Sequence, residues 1–491
     1  GRACALAAGL ESGLACADLT ARASALVDGP RHLAPRGGLA PHLAARLLDA
    51  PGQRLRTTLD ADLQAFVSAV LARRLSGLAD RNLRDGAVVV ADNATGEILA
   101  YVGSGGPASR SPRVDGAAAH RQAGSTLKPF LYGLAVEKTY LTAASLLDDA
   151  PINLETVTGL YIPQNYDRDF KGLVSLRTAL GNSLNIPAVR TLVLTGVEPF
   201  RLSLNAFGYD SIRRDGEYYG YALALGSAEV SLLEQVNAYR ALARGGMWSP
   251  LRLRADDAEG PERRIMAPGA AHIVADILSD RGARGLTFGL ANVLSTPYWS
   301  AAKTGTSKAM RDNWCIGFSD RYTVGVWVGN FEGDSMHGVS GITGAGPIWR
   351  DVMDRLHEDR PSRPPAPPPG LLRQTVAFDP AVEPARAEWF LSGTEIETVA
   401  LAPAAQAVPQ ILSPANGMII ALDPDIPPER QRVAILTRGA EASVLVLDGL
   451  PLNTAGSARW WVPQPGYHTL SMRDSAGREV DSVRFTVRDH R

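Results

Sequence analysis

The sequence predicts an α/β (α+β) chain: a roughly five-stranded antiparallel sheet covered by helices, followed by a separate all-β, Ig-like sandwich. Three observations lead there. Gly86 to Gly103 reads as a hairpin, and Trp299 to Gly329 supplies three more strands with short connections. Helical patterns lie before, between and after them. Six prolines within Pro361 to Gly370 then separate this body from a tail of short strands and turn signals.

Residues 1–30 are rich in Ala and Leu and read as short helices, and Pro30 to Gly38, with Pro41, is a breaker-rich connector. Leu55 to Asp60 is expected as a strand ending in a cap, with Asp60 opening a helix over Ala61 to Leu75. In the hairpin, Ala87-Val88-Val89-Val90 and Ile98-Leu99-Ala100-Tyr101-Val102 flank a turn at Asn93-Ala94-Thr95-Gly96. Gly103 to Pro112 holds too much Gly, Ser and Pro to be regular.

Helices are expected over Asn182 to Val193 and Leu232 to Ala243, the second stopped by Gly245-Gly246. Trp299 to Lys303, Asn313 to Phe318 and Tyr322 to Gly329 should pair antiparallel beside the hairpin. In the tail, strands are expected at Gln431 to Leu436, Ser443 to Leu447, Trp460 to Val462, Tyr467 to Ser471 and Val483 to Val487. The expected divisions are a leading segment 1–54, a main body 55–360, a Pro-rich linker 361–405 and the sandwich 406–491.

Composition sets limits. A chain of 491 residues exceeds one core, so two or three domains are the prior. A net charge of -1 argues against nucleic-acid binding, which needs a basic surplus. No run of 18 apolar residues occurs, so no membrane-spanning helix is expected in it. The first nine residues lack an initiating Met and a long apolar core and read as an internal cut, with any anchor or export signal upstream. Cys4 and Cys16 pair only if their helices meet, and Cys315, mid-strand among apolar neighbours, reads as core. The eight His show no metal-ligand spacing, so neither metal nor cofactor is expected.

Chemistry enters at Arg121 to Tyr132. Gly124 breaks the preceding segment, Pro129 fits the first turn of a helix, and Leu127, Phe130, Leu131 and Leu134 form an apolar stripe. Ser125 and Lys128, three apart, then share one face at a helix start, where free N–H groups carry partial positive charge. A hydroxyl, an amine and exposed N–H donors are the parts of an acyl-transfer site. Of 50 Lys plus Arg only five are Lys, and Lys128 and Lys303 are two of them. Arg keeps its proton near neutral pH whereas a desolvated Lys can lose it, so a base that must be neutral has to be Lys.

Alone, Ser-x-x-Lys reads first as a serine helix cap followed by a solvated lysine, because capping serines are common. Ser183-Leu184-Asn185 reads alone as a capped helix start, and Lys303-Thr304-Gly305-Thr306 as the exit of a strand. Their joint order, Ser-x-x-Lys, Ser-x-Asn, Lys-Thr-Gly, is the set of β-lactamases and penicillin-binding proteins, with Leu184 where Asp stands in some members.

The resemblance extends well beyond these motifs. Arg121-Gln122-Ala123-Gly124-Ser125-Thr126-Leu127-Lys128-Pro129-Phe130 resembles the active-serine segment of class A penicillin-binding proteins. Thr57-Thr58-Leu59-Asp60 with Leu63-Gln64, Asn165-Tyr166-Asp167, Ala224-Leu225-Gly226 and Arg311-Asp312-Asn313-Trp314 are similar to further landmarks of that class. Gly159 to Asp167 and the tail's Leu412 to Gly417 and Ala421 to Pro428 look most like the 1c type. The resemblance covers nearly the whole chain. It lacks one part: no Glu-Asp-x-x-Phe-x-x-His stretch of a glycosyltransferase domain occurs. Residues 1–30 resemble the trailing helices of that domain, so the resemblance carries no polymerising activity to this polypeptide.

The resemblance implies a penicillin-binding, β-lactamase-like transpeptidase fold over 55–360 and a serine D,D-transpeptidase that crosslinks peptidoglycan stem peptides. Ser125 would be the nucleophile, Lys128 its base, Ser183 a proton relay and Asn185 a substrate-amide ligand. Lys303, Thr304 and Thr306, with Gly305 between them, would bind the terminal carboxylate, and the N–H groups of Ser125 and Thr306 would form the oxyanion hole. β-Lactams would acylate Ser125. The implied place is the periplasmic face of the inner membrane, with membrane contact only through an upstream anchor. The alternatives are a D,D-carboxypeptidase, a β-lactamase (for which no second, deacylating base is identifiable), and a non-catalytic scaffold with a vestigial penicillin site. In the scaffold reading the sandwich docks an envelope protein, with Trp460-Trp461 as an exposed anchor or, alternatively, as core. A Ser-His-Asp hydrolase is disfavoured: no Gly-x-Ser-x-Gly occurs, and His120 reads as a loop residue.

Overall fold

The computed structural model describes residues 38–491 except 107–108, 157–158, 166–168, 401–408, 423–430, 439–442, 453–458 and 489–491. The helices expected over 1–30, with Cys4 and Cys16, lie outside the described residues.

Helix α1 (Ala61–Ser76) begins at the expected cap, where the Asp60 side chain accepts from the Leu63 N–H. The stretch before it is not a strand. Thr57 makes one bridge, to Arg254, and the Thr58 hydroxyl donates to the Ile98 carbonyl at 2.7 Å, so single bonds rather than a ladder hold it. Strands β1 (Asp85–Asp92) and β2 (Ile98–Val102) form the hairpin, with a bulge between Val90 and Ala91. Its turn is stabilised by Asp92, whose carboxylate accepts from the Thr95 N–H at 2.8 Å.

Helix α2 (Lys128–Glu137) follows a single 3₁₀ turn, Gly124–Leu127. Ser125 thus sits in the turn before the α-helix rather than in its first turn. Every residue from Lys128 to Val136 is buried, so α2 is a core helix. Phe130 anchors it, meeting Phe207, Tyr209 and Tyr239 edge-on with centroids 4.6, 5.5 and 5.3 Å away.

Strands β3 (Leu146–Asp149) and β4 (Gly172–Ser175) pair antiparallel and lead into α3 (Leu176–Gly181), which Ser175 caps. Helix α4 (Asn185–Thr195) begins three residues later than the pattern suggested. The reason is Ser183, whose φ of 60° breaks the helical path. Helix α5 (Leu232–Ala243) has the expected bounds and a complete capping box between Ser231 and Glu234. Helix α6 (Pro268–Ser279) follows.

Strands β5 (Ala301–Thr306), β6 (Asp312–Phe318) and β7 (Tyr322–Gly329) complete a five-stranded antiparallel sheet in the order β5-β6-β7-β1-β2. The first of them runs to Thr306 rather than ending at Lys303. Period-two alternation sends Ala87, Val89 and Ala91 to the face covered by α5, with α6 beside it over β5. Val88 and Val90 meet Val67 and Leu71 of α1 and Trp349 and Val352 of helix α7 (Ala345–Leu356). Cys315 is buried within β6, as expected of a core thiol.

Residues 361–405, expected as a linker, are a linker only in their first part. After the proline run, β8 (Leu371–Asp379) pairs antiparallel with β9 (Arg386–Leu391) and parallel with β10 (Thr398–Ala400). This small sheet packs Val376, Phe378 and Phe390 against Ala144 and Leu146. It is also tied to α3: Glu388, fully buried, takes the Arg177 guanidinium at 2.7 and 2.6 Å. Arg386 also binds this carboxylate, at 2.7 Å, so replacing Arg177 with Leu should cost about 1–3 kcal/mol in urea unfolding, the loss of one of two charged partners of a buried group. Sequence composition showed the prolines but not these long-range contacts.

The tail is a two-sheet sandwich. Strands β11 (Gln410–Ser413), β12 (Ile419–Ala421), β13 (Val433–Arg438), β14 (Val444–Leu447), β15 (Leu450–Pro451), β16 (Arg459–Trp461), β17 (Gly466–Arg473) and β18 (Glu479–Arg488) form sheets β11-β13-β16 and β12-β18-β17-β14-β15. Ile411, Ile435, Leu445, Leu470, Met472 and Phe485 fill the space between. Trp461 packs on His468 and Phe485 with centroids 4.8 and 5.7 Å away, which makes it core rather than an exposed anchor. The Trp460 side chain lies outside the described residues.

Candidate active site

Three backbone segments converge where the three motifs lie. Gly124, Ser125 and Thr126 occupy the 3₁₀ turn before α2, Ser183 the turn between α3 and α4, and Lys303 the edge strand β5. Two contacts with no room for side chains seat the turn, one against β5 and one against the 3₁₀ segment that ends at Gly226. A Cβ on Gly305 would stand 2.8 Å from the Ala123 carbonyl oxygen, and one on Gly226 would stand 1.9 Å from that of Gly124. The Gly124 N–H donates to Gly226 O at 3.0 Å, and the Ala123 N–H to Ala228 O at 3.0 Å. From the other side Tyr239 donates to Thr126 O at 2.7 Å, so both flanks of Ser125 are held.

The side chains meet at Ser183. Lys303 Nζ donates to Ser183 Oγ at 2.7 Å and to Thr304 O at 2.9 Å. Lys128 Nζ lies 3.5 Å from the same Oγ and donates to Ser183 O at 2.6 Å, Asn185 Oδ1 at 2.7 Å and Leu184 O at 3.1 Å. The left-handed conformation of Ser183 is part of this arrangement, a strained residue where chemistry is expected.

Both amines are depressed in basicity. Burial pushes the Lys128 pKa well below the ordinary lysine value, Lys303 pushes the same way, and the Asp149 carboxylate opposes them. Lys303 is pushed down to about 7, first by burial and then by the Arg284 guanidinium. Arg284 is itself buried, bonded to the carbonyls of Leu278 and Leu294.

The other expected residues fall into place unevenly. Ser125 is half-buried and makes no side-chain hydrogen bond among the described residues, so its hydroxyl is not bonded to Lys128 Nζ. Thr306 Oγ1 accepts from the Gly341 N–H at 3.0 Å. Thr304 is buried and joins the cluster through its carbonyl. His120 is exposed in a loop. Sequence reasoning did not assign a role to Arg284, to Gly226 as a packing partner, or to Asn165 as described below. The last two were visible only as landmarks without a mechanism.

The sheet flanked by helices, with Ser-x-x-Lys, Ser-x-Asn and Lys-Thr-Gly converging on one hydroxyl, defines a penicillin-interactive acyl-transfer fold. The chain belongs to the penicillin-binding protein transpeptidase family: residues 86–354 match the model of the penicillin binding protein transpeptidase domain, and residues 398–485 match the Penicillin-Binding Protein C-terminus Family. It is 33% identical over 417 residues to penicillin-binding protein 1C of Escherichia coli, covering 81% of this chain and 52% of that protein. It is 32% identical over 291 residues to penicillin-binding protein 1A of Neisseria meningitidis, covering 55% of this chain and 36% of that one. The chain thus spans about half the length of the first relative and about a third of the second.

Solved structures show the same fold. Penicillin-binding protein 1A from Haemophilus influenzae matches 63% of this chain and 54% of its own at 24% identity, with a TM-score of 0.57. The PonA1 protein from Mycobacterium tuberculosis, in complex with penicillin V, matches 64% of this chain and 89% of its own at 23% identity, with a TM-score of 0.55. Among the described residues, no helix is long and apolar enough to cross a membrane.

Proposed function

We propose that this chain is a serine D,D-transpeptidase that crosslinks peptidoglycan stem peptides through an acyl-enzyme at Ser125. The observation that carries the reading is the meeting of both lysines at the Ser183 hydroxyl, 2.7 Å from Lys303 Nζ and 3.5 Å from Lys128 Nζ. In its neutral form, which burial and the Lys303 cation favour, Lys128 takes the proton as Ser125 Oγ bonds to the carbonyl carbon of the penultimate D-alanine. The C–N bond to the terminal D-alanine breaks, and the proton passes through Ser183 to the leaving amine. The N–H groups of Ser125 and Thr306 hold the oxyanion. Lys303, Thr304 and Thr306, with Gly305 giving the strand its close approach, hold the substrate carboxylate through charge-assisted bonds, and Asn185 holds its amide. An amine of a second stem peptide then attacks the ester, the crosslink forms and Oγ regains a proton. A β-lactam ring opens on Ser125 by the same first step.

The division of labour proposed for the chain follows: the acyl-transfer unit over 55–360, and the sandwich over 406–491 as a docking module for an envelope protein. Both work at the periplasmic face of the inner membrane. The test is product analysis with a stem-peptide donor and an amine acceptor. The reading expects a crosslinked dimer and one D-alanine released per crosslink. Release of D-alanine without any dimer would make the chain a D,D-carboxypeptidase instead.

A further inference from the structure

Helix α4 carries Asn185 in its first turn, and its own N-cap residue, Leu184, has no side chain able to cap it. The missing acceptor comes from twenty residues upstream. Asn165 Oδ1 accepts from the Asn185 N–H at 2.9 Å and the Ile186 N–H at 3.4 Å. Its Nδ2 donates to both carboxylate oxygens of Asp149 at 2.8 Å and to the Asp169 carbonyl at 2.9 Å. Asn165 is 4% exposed and Asp149 fully buried, so these bonds are shielded from water. Beside this cap the Ser183 and Leu184 carbonyls accept from Lys128 Nζ.

We propose that Asn165, gripped by Asp149, is the positioning residue that holds the first turn of α4, and with it Asn185 and the Ser183 turn, against Lys128. The proposal rests on the acyl-transfer reading of Ser125 for its kinetic consequence, but its geometry does not. An amide is required because the site needs an acceptor toward the helix and a donor toward a buried carboxylate at once. A carboxyl at this position keeps the acceptor but faces Asp149 with a like charge unless the two share a proton. The charged and titratable groups facing the pair among the described residues are Lys128 and Tyr132 on α2, Lys171 and Asp169 before β4, and the Asp148–Arg190 pair between β3 and α4.

The test measures the rate of acylation by a labelled penicillin from pH 5 to 8 on the full chain. In Asn165→Asp the shared proton serves at low pH and is lost as pH rises. Its rate relative to the unaltered protein should fall from within about tenfold at pH 5 to about 10²-fold lower at pH 8, the scale of a 1 Å misplacement. The swap Asn165→Asp with Asp149→Asn restores one donor and one acceptor and should abolish that slope. Amide exchange gives a readout that needs no catalysis: Asn165→Ala should speed exchange at Asn185 and Ile186 while leaving α5 protected. A pH-independent loss in Asn165→Asp that the swap does not relieve would overturn the proposal, as would unchanged exchange in Asn165→Ala. If the unaltered protein takes no label but exchange at α4 responds as stated, the Ser125 reading fails and the positioning role stands.

Discussion

Lys128→Arg is expected to slow acylation by penicillin about 10²–10⁴-fold, the usual contribution of a general base. The guanidinium retains positive charge and hydrogen-bond donors, so a lysine serving as a charged anchor would tolerate the exchange far better. A base would not, because arginine holds its proton throughout the accessible pH range. The pocket is built around a compact amine with acceptors at 2.6, 2.7 and 3.1 Å, and burial together with Lys303 lowers its proton affinity. The pH profile adds a signature. Acylation efficiency at low penicillin concentration should rise with pH as Lys128 is freed of its proton. It should fall again above about pH 7, where Lys303 gives up the charge that binds the carboxylate. The rising limb should vanish in Lys128→Arg. Stopped-flow labelling across pH, with a melting curve for each protein, checks both statements.

Gly226→Ala is expected to lower stability by about 3–5 kcal/mol and acylation by about 10²-fold or more. Its φ of +74° already disfavours a side chain, and the added methyl would fall 1.9 Å from the Gly124 carbonyl oxygen and 2.5 Å from that residue's N and C. Those are backbone atoms, so no rotamer change can relieve the overlap. The turn carrying Ser125 must move, and the Gly124 and Ala123 ladder bonds to residues 226 and 228 move with it. Gly393→Ala is the control. It has a similar φ, +88°, with nothing within 4 Å of the added atom, and should lose only about 1–2 kcal/mol with acylation unchanged. Urea titration and labelling of the three proteins separate conformational strain from displacement of the serine.

These two positions show what a single sequence reveals. Lys128 was legible because a rare residue type stood three from a serine at a helix start, and two later motifs gave it partners. The strands of the central sheet were legible because alternation between two buried faces leaves a period-two apolar code, as in Ala87 to Ala91. The capping box of Ser231 and Glu234 lies within four residues and marks α5 directly. Gly226 was visible as part of a family landmark, but its collision with Gly124 joins segments about a hundred residues apart, and no local pattern encodes such a contact. The same holds for Asn165, which caps a helix it does not adjoin, and for Glu388, whose partner Arg177 lies in another layer. The proline run drew attention away from β8 and β9, where burial alternates but polarity does not, since Glu388 takes one of the buried positions. Local capping and periodicity can be read residue by residue, whereas close backbone approach and long-range polar pairing become visible only in three dimensions.

Peptide mapping of the protein after reaction with benzylpenicillin addresses the central claim most directly. The account predicts one adduct of one penicillin mass, carried on Ser125 and absent from a folded Ser125→Ala protein. An adduct on any other residue, or full labelling of Ser125→Ala, would contradict it.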